Sequence, residues 1–239
     1  MNGERVVFTK AMRHTHTILI PTMLPMHFEL LARVLDSYGY RAELLTNTGF
    51  EVRDCGLKYV HNDTCYPALL IIGQLISALQ SGKYDPDRTA ILFTQTGGGC
   101  RASNYIPLMR KALQKAGLGQ VPVISLNIAG LEKNPGFRLT PGFAKRMLYA
   151  VYYGDLLMNL VSQCRPYEKE LGAARRKARE WVGRLAEQLS GSKRVDYRHI
   201  LASYAAILRD FESLPRTDEK KVRVGIVGGQ QKAVGPRLV

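Results

Sequence analysis

The sequence predicts an α/β fold in which parallel strands alternate with helices. Short apolar runs rich in β-branched residues end at Pro, Gly or polar residues, which is typical of buried strands. The segments between them repeat apolar residues with helical spacing, so strands and helices follow one another in turn. That order is typical of a parallel sheet with right-handed crossovers. The chain of 239 residues is 46% hydrophobic and 23% charged, which is a globular composition and excludes a disordered chain.

The first strand–helix–strand unit lies near the start of the chain. Residues 15–20 predict a buried strand that ends at Pro21. Pro25 suits the first turn of a helix over residues 25–38, and residues 41–45 predict the second strand.

The next unit contains the most apolar helix of the chain. Residues 57–60 predict a short strand, and residues 68–80 predict a helix that is apolar nearly all round and therefore buried. Strands are predicted at 90–93 and 121–126. Between them we expect a helix that is capped by Ser103 and ends at Gly117. The predicted fold is thus flavodoxin-like, with helices on both faces of the sheet.

Helical patterns dominate the rest of the chain. They cover residues 143–161, 168–189 and 196–211, and the second has an apolar stripe that starts at Leu171. We expect the second and third helices to form an antiparallel pair. Residues 221–227 predict one more strand.

These patterns divide the chain into three parts. We expect an α/β domain at residues 1–142 and a helical segment that packs on it at 143–215. Residues 216–239 read as the start of a further, truncated α/β unit, or as a strand that completes the first sheet.

Two cysteines lie in turns that precede predicted helices. Cys65 belongs to the turn at residues 62–67, and Cys100 follows the glycine run at 97–99. Unpaired N–H groups and the helix dipole favour negative charge at such positions, which favours a thiolate. Ligands of parallel sheets bind beyond the carboxyl ends of the strands, so we expect both cysteines at one edge.

Composition narrows the classes of partner. The chain has no signal-peptide core and no apolar stretch long enough to span a bilayer, which indicates a reducing, cytoplasmic compartment with free or metal-bound cysteines. The net charge of +14 favours an anionic partner. No basic cluster interleaves with aromatic residues, so we do not expect nucleic-acid binding, and the basic residues near 175–179 are interpreted as a solvated helix face.

The glycine run and the cysteines are compared with known phosphate, metal and thiol sites through their neighbouring residues. A P-loop requires Gly-Lys-Ser/Thr after its glycines, whereas Cys-Arg-Ala follows here. The cysteine spacings do not form zinc knuckles, but iron–sulfur clusters take thiolates from separate loops. A thiol enzyme would use Cys65 with His61 and Asp63, and this alternative stays open. Cys164 is interpreted as a small buried apolar residue.

Five strings of the sequence carry a resemblance to a known family, at residues 16–21, 23–28, 56–67, 95–105 and 165–168. They resemble the activase-related proteins of the 2-hydroxyacyl-CoA dehydratase and benzoyl-CoA reductase group, and the resemblance extends to about residue 228. It implies a module of an ATP-driven, low-potential electron-transfer system with an ATPase (activase) domain or subunit and a dehydratase-like domain as partners. A CoA thioester and a second copy of the chain are further partners that it allows.

The resemblance also implies a 4Fe–4S cluster and its surroundings. The implied metal ligands are Cys65 and Cys100, with Cys55 as the third. The groups expected around the cluster or its substrate are Asn62, Asp63, Thr64, Gly98, Gly99, Arg101 and Asn104, with Tyr105 lining the same pocket. The chain contains no ATPase motif, so ATP hydrolysis is not assigned to it. The alternatives are an interaction or scaffold module with structural thiols, or a thiol-dependent enzyme.

Overall fold

A computed structural model describes residues 5–61, 63–94, 104–126, 132–190 and 195–222. Four strands in this part of the chain form one parallel sheet of order β2-β1-β3-β4. Its strands are β1 (Thr17–Ile20), β2 (Arg41–Leu44), β3 (Thr89–Thr94) and β4 (Val123–Leu126). The α/β, flavodoxin-like fold predicted from the sequence is confirmed.

Helices connect and cover the strands. They are α1 (Met12–Thr15), α2 (Pro25–Ser37), α3 (Phe50–Tyr59), α4 (Tyr66–Gln80), a short 3₁₀ helix (Pro86–Arg88), α5 (Tyr105–Lys115), α6 (Pro141–Cys164), α7 (Ala173–Ser190) and α8 (Tyr197–Glu212). In the described ranges, no helix combines the length and apolarity needed to cross a membrane.

The central strand β3 divides the core into two layers. Its side chains alternate, so Ile91 and Phe93 pack with α3, α4 and α5, whereas Ala90 and Leu92 pack with α2, α6, α7 and α8. All four side chains are at most 4% exposed. Helices therefore cover both faces, as the apolar strand sequence predicts.

The prediction of a strand at residues 57–60 is wrong. Residues 57–59 form the last turn of α3, and Val60 is its C-cap. The backbone of α3 lies directly against α4. A Cβ atom on Gly73 would lie 2.0 Å from the Val52 carbonyl oxygen, and one on Gly56 would lie 2.4 Å from that of Leu69. This packing between helices outweighs the local preference of a short apolar run for a strand.

A buried histidine fixes the contact between α2 and α6. His27 is 4% exposed, and its Nε2 lies 2.9 Å from the Asp155 Oδ1 atom. Gly154 makes room for the imidazole ring, because a Cβ atom there would lie 2.5 Å from it. His27 is thus a buried polar residue of the first turns of α2 whose partner lies on α6.

Helices α7 and α8 form the predicted antiparallel pair. Trp181 of α7 donates a hydrogen bond to Asp210 of α8, and Ser203 of α8 donates one to Gln188 of α7. Residue numbers thus rise along α7 as those of their partners fall along α8, which is the antiparallel arrangement. The apolar stripe of α7 does not include Leu171, which is 89% exposed. Its place in the stripe was predicted wrongly, because α7 begins only at residue 173, after a turn.

The predicted domain borders fall within continuous structure. The border at 142/143 lies in the first turn of α6, and this helix packs in the same core layer as α2. Residues 216–222 return to the start of the α7 region, where the Thr217 N–H donates to the Tyr167 carbonyl at 2.8 Å. Most of the strand predicted at 221–227 lies outside the described residues.

A bidentate ion pair holds α5 to the segment that follows β4. Arg110 donates to both carboxylate oxygens of Glu132, at 2.9 Å for Nη1–Oε1, and its Nη2 also approaches the Val123 carbonyl. The hydrogen bonds from Arg110 lower the pKa of Glu132, and the nearby charge of Arg5 adds to the effect.

Replacing Gly73 by Ala should destabilise the protein by about 2–3 kcal/mol, because the added methyl group would overlap the α3 backbone. Urea denaturation followed by circular dichroism measures this change. The matched control is Gly183→Ala in α7, where a Cβ atom meets nothing within 4 Å. The control should raise stability by up to about 1 kcal/mol through helix propensity. Equal effects of the two substitutions would contradict the close helix contact.

Glu132→Gln should reduce stability at neutral pH and flatten its acid dependence. The pKa of Glu132 is lower in the folded than in the unfolded chain, so its stabilisation is complete above the usual value of 4.5 and is lost as the pH falls through the folded pKa. The free energy of unfolding of the wild type should therefore approach that of the variant in acid. Glu187→Gln on the exposed face of α7 is the control, and identical pH profiles for wild type and Glu132→Gln would refute the ion pair.

Candidate cysteine site at the carboxyl edge of the sheet

Cys65 is the N-cap residue of α4. Its carbonyl oxygen accepts a hydrogen bond from the Leu69 N–H at 3.2 Å, and Pro67 occupies the second helical position. The prediction that Cys65 lies at a helix N-terminus is confirmed. The N–H groups of the first turn and the helix dipole therefore create a positive potential beside this sulfur.

Gln74 fixes α4 on the sheet, and sequence reasoning missed it. The side chain is 5% exposed, and its Oε1 accepts from the Thr22 N–H at 2.9 Å while its Nε2 donates to the Asn47 carbonyl at 2.8 Å. Thr22 and Asn47 follow the carboxyl ends of β1 and β2. A polar residue in an otherwise apolar buried helix was the available signal, because such a group requires partners.

The start of α5 lies opposite Cys65. Asn104 is the N-cap residue, and Tyr105 is the first residue of the helix. The sequence predicted Ser103 as the cap, but Ser103 lies outside the described residues. Tyr105 is 8% exposed, and its ring centroid lies 5.7 Å from that of Phe93 on β3. The site therefore lies beyond the carboxyl end of the central strand.

A cavity of about 310 Å³ opens between the two helix starts. Its lining residues are Asp63, Thr64, Cys65, Asn104, Tyr105 and Leu108. The structure thus brings together five residues that the sequence singled out from two distant segments, namely Asp63, Thr64, Cys65, Asn104 and Tyr105. Leu108 was missed, although its position three residues after Tyr105 places both on one helix face. Five more predicted residues lie outside the described ranges: Asn62, Gly98, Gly99, Cys100 and Arg101.

The Cys65 sulfur has a polar partner. Its Sγ lies 3.2 Å from the Tyr105 hydroxyl oxygen, within hydrogen-bond distance for sulfur. Cys65 itself is partly exposed and borders the cavity. The site therefore combines a partly exposed cysteine, a tyrosine hydroxyl group, the Asp63 carboxylate and two helix N-termini.

The other described cysteines lie elsewhere. Cys55 of α3 packs against the core layer that contains α4, and burial raises the pKa of its thiol, opposed by the charge of Lys58. Cys164, the last residue of α6, is 1% exposed, and burial raises its pKa as well. The interpretation of Cys164 as a small buried apolar residue is confirmed. Among the described residues, no three His, Cys, Asp or Glu side chains converge as metal ligands.

Of the groups that a thiol enzyme would use beside Cys65, Asp63 lines the cavity and His61 pairs with Asp63. The Nδ1 atom of His61 lies 3.2 Å from Oδ2 of Asp63, and both side chains are at least 79% exposed. His61 does not belong to the residues that line the cavity. The hydrogen-bond partner of Cys65 is the Tyr105 hydroxyl instead.

No protein-family model matches the chain, and no curated protein or solved structure matches it. The family named from the sequence strings therefore stays a prediction.

The three described cysteines should differ in their reaction with N-ethylmaleimide. In the native protein we expect Cys65 to react first, because its sulfur borders an open cavity. Cys55 should react more slowly because burial raises its pKa, and Cys164 should react only after unfolding. Peptide mass spectrometry measures each rate, with Cys65→Ser as the control for peptide assignment. Equal rates for Cys65 and Cys164 would contradict the described environments.

Proposed function

We propose that the chain binds a 4Fe–4S cluster through Cys65 and Cys100. In this role it is an iron–sulfur module of an ATP-driven, low-potential electron-transfer system that serves 2-hydroxyacyl-CoA dehydration or aryl-CoA reduction. The observation that supports this proposal best is the partly exposed Cys65 sulfur, which borders an open polar cavity at the carboxyl edge of a parallel sheet.

The described residues fit one thiolate ligand. The helix N-termini of α4 and α5 favour negative charge beside Cys65, and the Tyr105 hydroxyl can donate to its sulfur. Asp63, Thr64 and Asn104 supply polar groups around the same cavity. A bound cluster would supply one-electron chemistry, and the protein would set its potential through hydrogen bonds and solvent access.

The second ligand is proposed from its place in the sequence. Cys100 precedes Asn104 by four residues, and a stretch of that length spans at most about 14 Å. Asn104 lines the cavity together with Cys65. Chain length therefore allows both sulfurs to reach one cluster of iron atoms.

Cys55 supports the proposal less than the other two cysteines. Burial disfavours its thiolate, and Cys55 does not belong to the residues that line the cavity. A ligand from a partner chain, or an iron atom left open for substrate, would complete the cluster instead.

The proposed partners follow from charge and from the sequence resemblance. A net charge of +14 suits the phosphates of a CoA thioester or an acidic protein surface. The ATPase domain or subunit and the dehydratase-like domain are the expected electron-transfer partners. We place the system in a reducing, cytoplasmic compartment, where thiols stay free for iron.

Iron and acid-labile sulfide analysis of the anaerobically prepared protein tests this function. The wild type should be brown, contain iron and sulfide in equal amounts, and give an EPR signal on reduction. Cys65→Ala and Cys100→Ala should each lose most of the iron, because every thiolate ligand contributes strongly to cluster affinity. Cys164→Ala is the matched control and should retain iron. Cys55→Ala decides whether Cys55 is the third ligand.

The remaining outcomes separate the alternatives. Wild-type protein without iron, together with unchanged folding of Cys65→Ala and Cys100→Ala, would refute the cluster and favour an interaction module with structural thiols. A measurable turnover that is lost on alkylation of Cys65 would favour the thiol-dependent enzyme.

A further inference from the structure

We propose that Tyr105 is a positioning residue of the site, whose hydroxyl holds the Cys65 sulfur through a hydrogen bond and donates to that sulfur when it is a metal ligand. The inference rests on the proposed function for its ligand role only. It starts from the Sγ–Oη distance of 3.2 Å, which joins two segments forty residues apart in the chain.

The direction of the hydrogen bond depends on whether the Cys65 sulfur carries a proton. In the free thiol form, either Cys65 or Tyr105 can donate. A metal-bound thiolate has lost its proton and can only accept, so the Tyr105 hydroxyl must then be the donor. The donor thus points at the atom on which negative charge accumulates.

Both partners are held in place by their own elements. The Tyr105 ring is 8% exposed and packs at an interplanar angle of 52° against Phe93, and its backbone opens α5. Cys65 is held by the first turn of α4 through the hydrogen bond from the Leu69 N–H. Neither group has to be ordered when the bond forms, so it costs little conformational entropy.

Such a bond changes the electronic properties of a metal centre. Hydrogen bonds to a ligating sulfur withdraw electron density and stabilise the reduced, more negative state, which raises the reduction potential. Tyr105 would therefore tune the centre as well as position its ligand. A residue that only packs against the cavity wall would leave the potential unchanged.

Tyr105→Phe removes the hydroxyl and keeps the ring against Phe93. Tyr66→Phe is the matched control, because Tyr66 adjoins Cys65 in the sequence but is 59% exposed. In iron-loaded protein, redox titration should give Tyr105→Phe a more negative reduction potential than the wild type. At the midpoint potential of the wild type, the ratio of reduced to oxidised Tyr105→Phe should be lower by on the order of tenfold. Tyr66→Phe should match the wild type, and a potential of Tyr105→Phe equal to that of Tyr66→Phe would overturn the inference.

A double-mutant cycle tests the same bond without iron. Cys65→Ala, Tyr105→Phe and the double variant are compared by urea denaturation of the iron-free chain. We expect a coupling of several-fold in the unfolding equilibrium constant, whereas Cys65→Ala combined with Tyr66→Phe should be multiplicative. Absence of iron from the wild type would overturn the proposed function, but absence of coupling would overturn the role of Tyr105.

Discussion

The close contact between the backbones of α3 and α4 fixes where α4 lies, and the position of Cys65 at its N-terminus follows from that contact. Gly56 and Gly73 let the two helix backbones touch, since a Cβ atom on either would lie within 2.4 Å of a carbonyl oxygen of the other helix. Gln74, next to Gly73, joins α4 to the segments after β1 and β2. The helix can therefore neither slide nor rotate without breaking backbone packing and buried hydrogen bonds.

The parallel topology of the sheet brings the N-termini of α4 and α5 together. In the described part of the chain, α4 leads into β3 through the short 3₁₀ helix, and α5 follows β3, so both helices run opposite to the strands. They pack in one core layer against the same face of β3. Their N-termini consequently meet beyond the carboxyl end of this strand, where Cys65 faces Tyr105. Two helix dipoles of the same sign converge there, which favours negative charge beside Cys65.

Much of this architecture can be predicted from the sequence, because the apolar strands and the apolar faces of the helices are the residues that form the core. The sequence therefore predicted the four strands of the sheet, the antiparallel α7–α8 pair and the helix start at Cys65. It failed where a long-range contact decides the conformation. Residues 57–60 have the local properties of a strand, but residues 57–59 continue a helix whose backbone packs on α4. Gln74 was visible as a polar residue in an apolar helix, but its partners, like those of Gly73, lie on other elements.

The three described cysteines are one residue type in three different environments. Cys65 borders the cavity, whereas Cys55 lies in α3 and Cys164, at 1% exposure, ends α6. Burial raises the pKa of both thiols, because a thiolate loses its solvation there. Cys65 differs because a helix begins at its position and a tyrosine hydroxyl lies 3.2 Å from its sulfur. Of the three described cysteines, Cys65 is therefore the one that the fold places at a helix N-terminus beside a cavity.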